Sequence, residues 1–447
     1  MTGAATRTSI ASDSAYSLGL RVCLYMTGFA ASILISRVLG PGGRGLYYLP
    51  VVTAATLCAF LSLGFEQANV FLFGNRRASI GQLWAQAGLV AAVMGCAGVT
   101  LAVASPLVLP RLYAQTPILL LALSGLTIPF TLHGLFAAGL LTLQGRVTRQ
   151  FRAGLAAAIV QLATLSALFF TGRLGVTSVL VTTLVTSIVN WLLMATRVVP
   201  RGARWVEWDR GLFADTVRQA LPLHLGSIFL FLHLRLDMFM VSGMVGAAAL
   251  GIYSLAVTLA ETVQLATDSL SLSLLPRQVG NTVAQASDLS LRGARANALV
   301  GGTLALGWVA LGVPVIRFAF GREFGPSYLP LVVLLPGIIC MGMQRACGGA
   351  VLRSGHPWRM TAIQAASLMC NAALNVWLIP ALGVPGAALA STLSYATGAT
   401  IFLVWTSHLA SMPVRRGILP GAADFRSLWT AAARMISARS SAADAGV

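Results

Sequence analysis

The sequence contains no lysine and few charged residues of any kind. All 30 of its basic residues are arginines and only 12 residues are acidic, so charged residues make up 9% of the chain, against about 25% in ordinary soluble domains. The absence of lysine excludes Schiff-base chemistry and a lysine nucleophile. Hydrophobic residues account for 57% of the chain and the mean hydropathy is +0.81, which indicates a protein whose surface lies mainly in lipid.

Cysteine is also sparse, and the cysteines are poorly placed for chemistry. The 6 cysteines stand singly in apolar segments, and no pair has the spacing of a metal site or a redox motif. We therefore expect no metal and no cofactor. No acidic pair falls in a sizeable soluble domain or a long loop, so we expect a protein that is not an enzyme. Residues 1–15 lack the basic stub, short apolar core and cleavage site of a removable signal peptide.

Long apolar runs fill most of the chain. About twelve of them reach the roughly 20 residues that a helix needs to cross about 30 Å of hydrocarbon. Their centres lie near residues 27, 57, 93, 130, 161, 184, 230, 261, 308, 339, 369 and 396. The sequence therefore predicts an all-α integral membrane protein.

Short segments of the first half of the chain recur in the second half. Gly45-Leu46-Tyr47 returns as Gly251-Ile252-Tyr253, an offset of 206 positions (251 minus 45), and Leu174-Gly175-Val176 returns at 382–384. Two further glycines and an arginine, at 139, 145 and 149, match residues 349, 355 and 359. These matches indicate two copies of a six-helix unit. Because six is even, both copies enter the membrane in the same orientation, and the working site is expected between them.

The helix pattern divides the chain into five predicted parts. They are a cytoplasmic N-terminal segment (1–15), a first six-helix bundle (16–196), a cytoplasmic linker (197–219), a second six-helix bundle (220–410) and a basic cytoplasmic tail (411–447). Within the tail, residues 424–438 form a candidate amphipathic helix with an apolar stripe, which should rest on anionic lipid headgroups.

The arginines are distributed unevenly across the predicted membrane. Most lie in the N-terminal segment, in the connections on that side and in the tail, whereas the opposite side receives Arg37, Arg44, Arg111, Arg173, Arg317 and Arg322. By the positive-inside rule, both termini are cytoplasmic. This distribution also explains the net charge of +18 without a nucleic-acid partner.

Few charged residues fall at membrane depth, where each costs about 2.5–3.5 kcal/mol. Arg235 and Asp237 lie in the seventh predicted helix, Glu261 and Asp268 in the eighth, and Arg345 in the tenth. Glu261 and Asp268 are two helical turns apart, so they share a face that must look at water or at a partner. Two interpretations of the arginines stay open: they pair with these acids, or they bind a ligand.

Two prolines occupy matching positions in the two copies. Pro129 and Pro336 are 207 positions apart (336 minus 129), each within an apolar run. Proline in a helix frees a carbonyl and bends the chain, and paired interruptions of this kind can mark a midplane site. Ordinary packing is the alternative interpretation of these kinks.

Four segments resemble those of a known family of transporters. They are Leu34 to Tyr47, Arg235 to Glu261, Phe320 to Tyr328 and Ile379 to Ser391. In order and spacing they are similar to the polysaccharide transporter family, the flippases of lipid-linked oligosaccharides within the multidrug/oligosaccharidyl-lipid/polysaccharide exporter superfamily.

The resemblance implies a fold and a cargo. The fold would be two six-helix bundles in a V around a central cavity that opens alternately to each side. The cargo would be a polyprenyl-pyrophosphate-linked oligosaccharide, moved across the bacterial inner membrane for surface or exopolysaccharide synthesis. Implied partners are membrane lipids, glycosyltransferases inside and a polysaccharide polymerase outside, and the protein is expected to act as a monomer.

The resemblance also gives roles to the intramembrane polar residues. Arginine suits pyrophosphate because its planar fork donates hydrogen bonds in pairs, which implies Arg37, Arg235 and Arg345. Binding of the sugar hydroxyl groups needs hydrogen-bonding side chains, and the resemblance implies the amides of Gln67, Asn69 and Gln264 for this role. Coupling to an ion implies the acids Asp237, Glu261 and Asp268. For Arg37, at the outer end of the first helix, snorkelling to the headgroups is the alternative.

Two other functions fit the same fold. A cation-coupled multidrug exporter would use Glu261 and Asp268 to exchange a cation for a cationic drug, although the arginines would repel such cargo. A flippase of peptidoglycan precursor would differ only in its cargo.

Overall fold

The structure is a computed structural model that describes residues 2–196, 198, 208–355 and 357–418, and every regular element in these residues is helical. The α-helices are α1 (Thr2–Leu61), α2 (Phe65–Gly74), α3 (Ile80–Val108), α4 (Pro110–Tyr113), α5 (Ile118–Gly125), α6 (Ile128–Leu143), α7 (Val147–Phe170), α8 (Val176–Ala195), α9 (Arg210–Met244), α10 (Ala247–Val279), α11 (Val283–Val315), α12 (Tyr328–Arg353), α13 (Pro357–Leu382), α14 (Val384–Leu409) and α15 (Arg415–Ile418). A π-helical segment (Ile316–Phe320) and a 3₁₀ segment (Arg322–Ser327) connect α11 to α12.

The predicted membrane-spanning helices are confirmed in number and place. Among the described residues, 11 helical stretches are long and apolar enough to cross a membrane. The first stretch, Gly19–Gly74, has 56 residues and includes two of the predicted spans, because it contains a break at Gly40. The prediction of an all-α membrane protein with about twelve spans is therefore correct.

The chain reverses direction at Gly40 within α1. Gly40 has φ +62°, a left-handed conformation that favours glycine. Beyond it, the Arg44 guanidinium donates to the Oγ of Ser32 at 3.0 Å and of Ser36 at 2.5 Å. In a straight helix these serines would lie about 12 to 18 Å from Arg44 along the axis, out of reach of an arginine side chain. The residues before and after Gly40 therefore form two adjacent helical segments.

The chain packs as two compact units. The first comprises Met1–Ser254 and Val315–Pro326, and the second comprises Leu255–Pro314 and Ser327–Val447. The division falls within α10, whereas the boundary predicted from the duplication falls at residues 197–219. The predicted boundary separates the two copies of the repeat, which is a different division from that into packed units, so it stays a prediction.

Several predicted segments differ from, or lie beyond, what the structure describes. Residues 2–15, predicted as a separate segment, are the first part of α1, and residues 210–219 of the predicted linker are the first turns of α9. Asp209 caps α9 by accepting hydrogen bonds from the amides of Gly211 (2.8 Å) and Leu212 (3.1 Å). Linker residues 197 and 199–207 and the amphipathic helix predicted at 424–438 lie outside the described residues.

The first unit contains polar groups within its apolar core. Phe65, Leu132 and Phe136 are completely buried there. Beside them, the His133 ring stacks on Trp84 with centroids 4.3 Å apart, and its Nδ1 accepts a hydrogen bond of 2.9 Å from Trp191. His133 is therefore positioned by two indole rings as part of the packing.

The second unit is held together by close contacts at small residues. A Cβ placed on Gly342 would lie 2.8 Å from the Cβ of Thr267, and one on Gly337 would lie 2.7 Å from the Cα of Thr392. Such close approach supplies van der Waals packing between helices. In lipid this packing is needed, because the hydrophobic effect does not drive apolar helices to associate there. Polar side chains add to it, since Asn297 donates to the Gly342 carbonyl at 2.7 Å.

Candidate functional site

Two helical segments of the first unit cross with their backbones in contact. A Cβ placed on Gly45 would lie 1.7 Å from the carbonyl oxygen of Ala247, and one on Gly251 would lie 1.9 Å from the carbonyl oxygen of Pro41. Only a residue without a side chain fits at either position. We call these four residues, Pro41, Gly45, Ala247 and Gly251, the paired crossing.

The paired crossing relates the two repeats of the sequence to each other. Adding the offset of 206 to 45 gives 251, and adding it to 41 gives 247. The contact of Gly45 with Ala247 is thus the symmetric counterpart of the contact of Gly251 with Pro41. Reciprocal contacts of this kind are those of a two-fold interface. The structure therefore supports the internal duplication and places its matched glycines face to face.

A buried arginine stabilises the paired crossing. Arg44 is only 3% exposed and donates through Nε to the Ser254 hydroxyl at 3.0 Å, in addition to its bonds to Ser32 and Ser36. Hydroxyl oxygens thus provide acceptors for a guanidinium that would be costly to bury without them. Arg44 links both sides of the Gly40 reversal to the start of α10.

The predicted acid Asp237 lies next to the paired crossing. It is 2% exposed and accepts hydrogen bonds from the Tyr253 hydroxyl at 2.5 Å and from the Met238 amide at 2.8 Å. Tyr253 belongs to the repeated Gly-x-Tyr motif and is completely buried. The duplicated motif therefore supplies both a glycine for close packing and a phenol for a buried carboxyl group.

Replacing Tyr253 with phenylalanine should destabilise the protein by about 2 kcal/mol, because a hydrogen bond to a charged or buried carboxyl group is worth about 1.5–3 kcal/mol. The thermal stability of the detergent-purified protein measures this loss. As a matched control we choose Tyr328→Phe, which removes a bond of 2.8 Å to the Val309 carbonyl and should have a smaller effect. Equal stability of Tyr253→Phe and the wild type would show that the bond contributes nothing.

Arg37 binds the protein itself. Its side chain is exposed, and Nη2 donates to the Phe318 carbonyl at 2.5 Å, within the π-helical segment. That segment belongs to the first unit and packs Phe320 edge-on against Phe29, with ring centroids 5.6 Å apart. The observed contact gives Arg37 a structural role, and its predicted role toward pyrophosphate stays a prediction.

In the second unit, Arg345 and Asp268 form an ion pair between α12 and α10. Their side chains are partly exposed, at 32% and 19% respectively. Of the two interpretations left open by the sequence, the pairing of Arg345 with an acid is thus the one observed. Glu261 and Gln264 lie half-buried on the same helix as Asp268. Arg235 is half-buried in the first unit.

The predicted amide residues are separated. Gln67 is exposed and donates to the Ser227 hydroxyl at 3.4 Å, while Asn69 is 3% exposed within α2. Gln264 belongs to the second unit. No close group of these three amides occurs within either unit, and their assignment to sugar binding stays a prediction.

The two matched prolines have different local structures. Pro129 lies in the first turn of α6, directly after a break at residues 126–127, whereas Pro336 lies inside the continuous helix α12. A proline in the first helical turn leaves no hydrogen bond unmade. Of the two matched prolines, only Pro336 therefore lies in the interior of an α-helix, and a shared cavity at the two prolines stays a prediction.

The residues that sequence reasoning missed are Arg44, Ser254 and Tyr253 as site residues. The repeated Gly-x-Tyr motif identified the right segments. However, a constant offset shows only that two positions are equivalent in the repeats, and it does not show that they are in contact. Arg44 was grouped with the arginines of the outer side, and its burial depends on the reversal at Gly40.

The structure resembles solved membrane transporters over most of its length. It matches an inward-facing multidrug resistance MATE family transporter of the MOP superfamily with a TM-score of 0.69 at 15% identity, covering 87% of this chain and 94% of that one. It matches the lipid II flippase MurJ in an inward closed conformation with a TM-score of 0.72 at 14% identity, covering 91% and 88%. A MOP superfamily transporter from Pyrococcus furiosus gives 0.54 at 15% identity, covering 89% and 93%.

At these sequence identities the structural similarity establishes only the fold. The protein has the two-bundle fold of MOP superfamily transporters. No curated protein gives a significant match to the sequence. A family model described as polysaccharide biosynthesis protein matches residues 10–278, more than half of the chain. The chain belongs to this family.

Proposed function

We propose that the protein is a flippase that moves a polyprenyl-pyrophosphate-linked oligosaccharide across the bacterial inner membrane by alternating access. The proposal rests on the family to which the chain belongs and on one observation above all, the partly exposed ion pair between Arg345 and Asp268, which joins two helices long and apolar enough to cross a membrane. Ionisable residues there are costly, and they commonly mark the path of a substrate or an ion.

The ion pair offers a way to bind and release a pyrophosphate. In the absence of cargo, Asp268 neutralises Arg345. A pyrophosphate group carries more charge than a carboxylate and accepts paired hydrogen bonds from guanidinium, so it would displace Asp268 from Arg345. Asp268 would then take up a cation, a step that links cargo binding to an ion. Asp237 and Glu261 are further candidates for that coupling, and Arg37 and Arg235 for the pyrophosphate.

The rest of the cargo needs weaker contacts. Sugar hydroxyls pair with amide and hydroxyl side chains, the role we assign to Gln67, Asn69 and Gln264. The polyprenyl tail stays in the lipid, because hydrocarbon gains nothing from entering a polar cavity.

The proposed place and partners follow from the same reaction. We propose that both termini are cytoplasmic, that glycosyltransferases complete the lipid-linked sugar on the inner side, and that a polymerase uses it on the outer side. The protein would act as a monomer.

Deleting the gene should make lipid-linked oligosaccharide accumulate facing the cytoplasm while surface polysaccharide falls. Mass spectrometry combined with a membrane-impermeant label for the outer leaflet measures both quantities. The intact gene should restore outer-leaflet labelling, and a gene carrying Arg345→Ala should restore less than about a tenth of it, the loss expected when about 1.4 kcal/mol or more of binding is removed.

Other results would redirect the assignment. Unchanged lipid-linked sugar together with new sensitivity to cationic dyes would indicate a cation-coupled drug exporter. Accumulation of peptidoglycan precursor, with surface polysaccharide unchanged, would indicate a flippase of that precursor. Either outcome would overturn the oligosaccharide proposal.

A further inference from the structure

The first unit contains a cavity with a largely apolar lining and one polar side, and none of the predicted site residues lines it. Its volume is about 500 Å³, within the range of about 300–1,000 Å³ typical of small-molecule sites. It lies between α6, α7 and α8, with Leu24 of α1 at one side. Its lining includes both hydrogen-bonding side chains and aromatic rings, and no lining residue in the described part of the chain is charged.

The polar side of the cavity is a row of residues on α8. Thr183, Thr186, Ser187 and Asn190 line it, and their spacing of three and four residues places them on one helix face. Polar residues on a membrane helix need partners, because lipid supplies none. The Oδ1 atom of Asn190 is buried and has no hydrogen-bond partner among the described residues.

The hydroxyl groups of Thr186 and Ser187 on α8 already donate hydrogen bonds to backbone carbonyls. Thr186 donates to the Thr182 carbonyl at 2.8 Å, and Ser187 donates to the Thr183 carbonyl at 2.9 Å. The remaining capacity of each hydroxyl oxygen is as an acceptor. On the facing helix α7, Gln150 and Gln161 bring amide groups, which both donate and accept. The cavity thus suits a ligand that carries several hydroxyl groups.

The absence of lining charges limits the ligand further. A charged group inside would lose its hydration without finding a counter-ion, which is costly. A purely apolar ligand would leave the buried Oδ1 atom of Asn190 without a hydrogen-bond partner. Phe130 and Phe151 supply apolar faces, so the fitting ligand is uncharged, has many hydroxyl groups, and also has C–H surfaces.

A cation lies beside one of the lining aromatic rings. The Arg21 guanidinium carbon is 5.9 Å from the centroid of the Phe151 ring, and Phe151 belongs to the end of α7 that follows Arg146 and Arg149. By the arginine distribution, this end faces the cytoplasm. A ligand with an uncharged part and a phosphate part would therefore be accommodated with the phosphate near Arg21.

We infer that this cavity binds a sugar unit of the cargo. The choice of sugar as the ligand class rests on the proposed function, whereas the cavity and its chemistry do not. Specificity for the sugar would then be set inside the first unit, by Thr186, Ser187 and Asn190, separately from the Arg345 and Asp268 pair.

Saturation-transfer NMR on the full chain in lipid nanodiscs tests this inference, with glucose, galactose, mannose and N-acetylglucosamine as probes. At least one sugar should receive saturation from the wild type. The double variant Thr186→Val with Asn190→Leu should reduce that transfer about tenfold, because it removes about two hydrogen bonds. The single variant Thr186→Val, which is less disruptive, should reduce it about threefold.

The control variant is Thr182→Val. Thr182 makes the same kind of bond on the same helix, to the Ser178 carbonyl at 2.8 Å, but does not line this cavity, so sugar binding should be unchanged. Equal transfer in the wild type and in both cavity variants, or transfer from no sugar at all, would overturn the inference. Sugar binding that depends on Thr186 together with unchanged lipid-linked sugar in the deletion strain would leave the cavity assignment standing and refute the flippase.

Discussion

The alanine variant of Gly45 will be among the least stable single variants of this protein. A methyl group at this position would lie 1.7 Å from the Ala247 carbonyl oxygen, so the two helices must separate before it fits. Overpacking of a well-packed interior typically costs about 1–3 kcal/mol and sometimes more. Because the contact is to backbone on both sides, we expect about 3 kcal/mol or more. Gly251→Ala should behave in the same way, since its methyl group would lie 1.9 Å from the Pro41 carbonyl.

The chain provides a matched control three residues away. A Cβ on Gly42 would meet nothing within 4 Å, and alanine is favoured over glycine in a helix by about 1 kcal/mol. Gly42→Ala should therefore be as stable as the wild type or more so. Thermal unfolding followed by size-exclusion chromatography compares the three variants. Equal stability of Gly45→Ala and Gly42→Ala would show that the paired crossing is not as tight as described.

Removing both charges of the Arg345 and Asp268 pair should separate its structural role from its role toward cargo. Arg345→Gln alone leaves a partly buried carboxylate without its cation. Breaking a fully buried pair costs about 3–5 kcal/mol, and the side-chain exposures of 32% and 19% reduce our expectation to about 2 kcal/mol. The double variant Arg345→Gln with Asp268→Asn should recover most of that stability, because neither charge is then left unpaired.

Transport should not recover with stability in that double variant. If Arg345 binds pyrophosphate, the neutral pair lacks the cation, and translocation should stay at least about tenfold below the wild type, since hydrogen bonds to charged groups are worth about 1.5–3 kcal/mol. The equivalent double change at the pair of Arg292 and Asp288, which are 2.7 Å apart with exposures of 65% and 27%, should affect stability less and leave transport unchanged. Full transport by the neutral Arg345 and Asp268 variant would make that pair purely structural.

The helices were predictable from the sequence, and the reason is physical. A run of about 20 apolar residues in lipid has few alternatives to a helix, since every backbone group must be satisfied within the segment. A reversal between the spans centred near residues 27 and 57 also follows from the sequence, because each span is long enough to cross, whereas its position at Gly40 comes from the structure. The family resemblance is confirmed by the family match over residues 10–278, which includes the segments Leu34 to Tyr47 and Arg235 to Glu261.

The site was less predictable, because it depends on contacts between distant segments. The repeat identified Gly45 and Gly251 as equivalent positions. Only the structure shows that Gly45 contacts Ala247 and that Gly251 contacts Pro41. Similarly, the sequence allowed several partners for Arg345, and the three-dimensional arrangement selects Asp268. Pro129 illustrates the opposite case: its position matches Pro336, but a preceding helix break gives it a different local role.

Translocation by the purified protein in liposomes tests the flippase proposal most directly. Vesicles containing the full chain and a fluorescent polyprenyl-pyrophosphate-linked oligosaccharide would be treated with a membrane-impermeant reductant, before and after imposing an ion gradient. Nearly all of the fluorophore should become accessible with the wild type, and only the outer-leaflet half should do so with Arg345→Gln. Accessibility limited to the outer leaflet in wild-type vesicles under every gradient, with a folded protein, would contradict the proposed function.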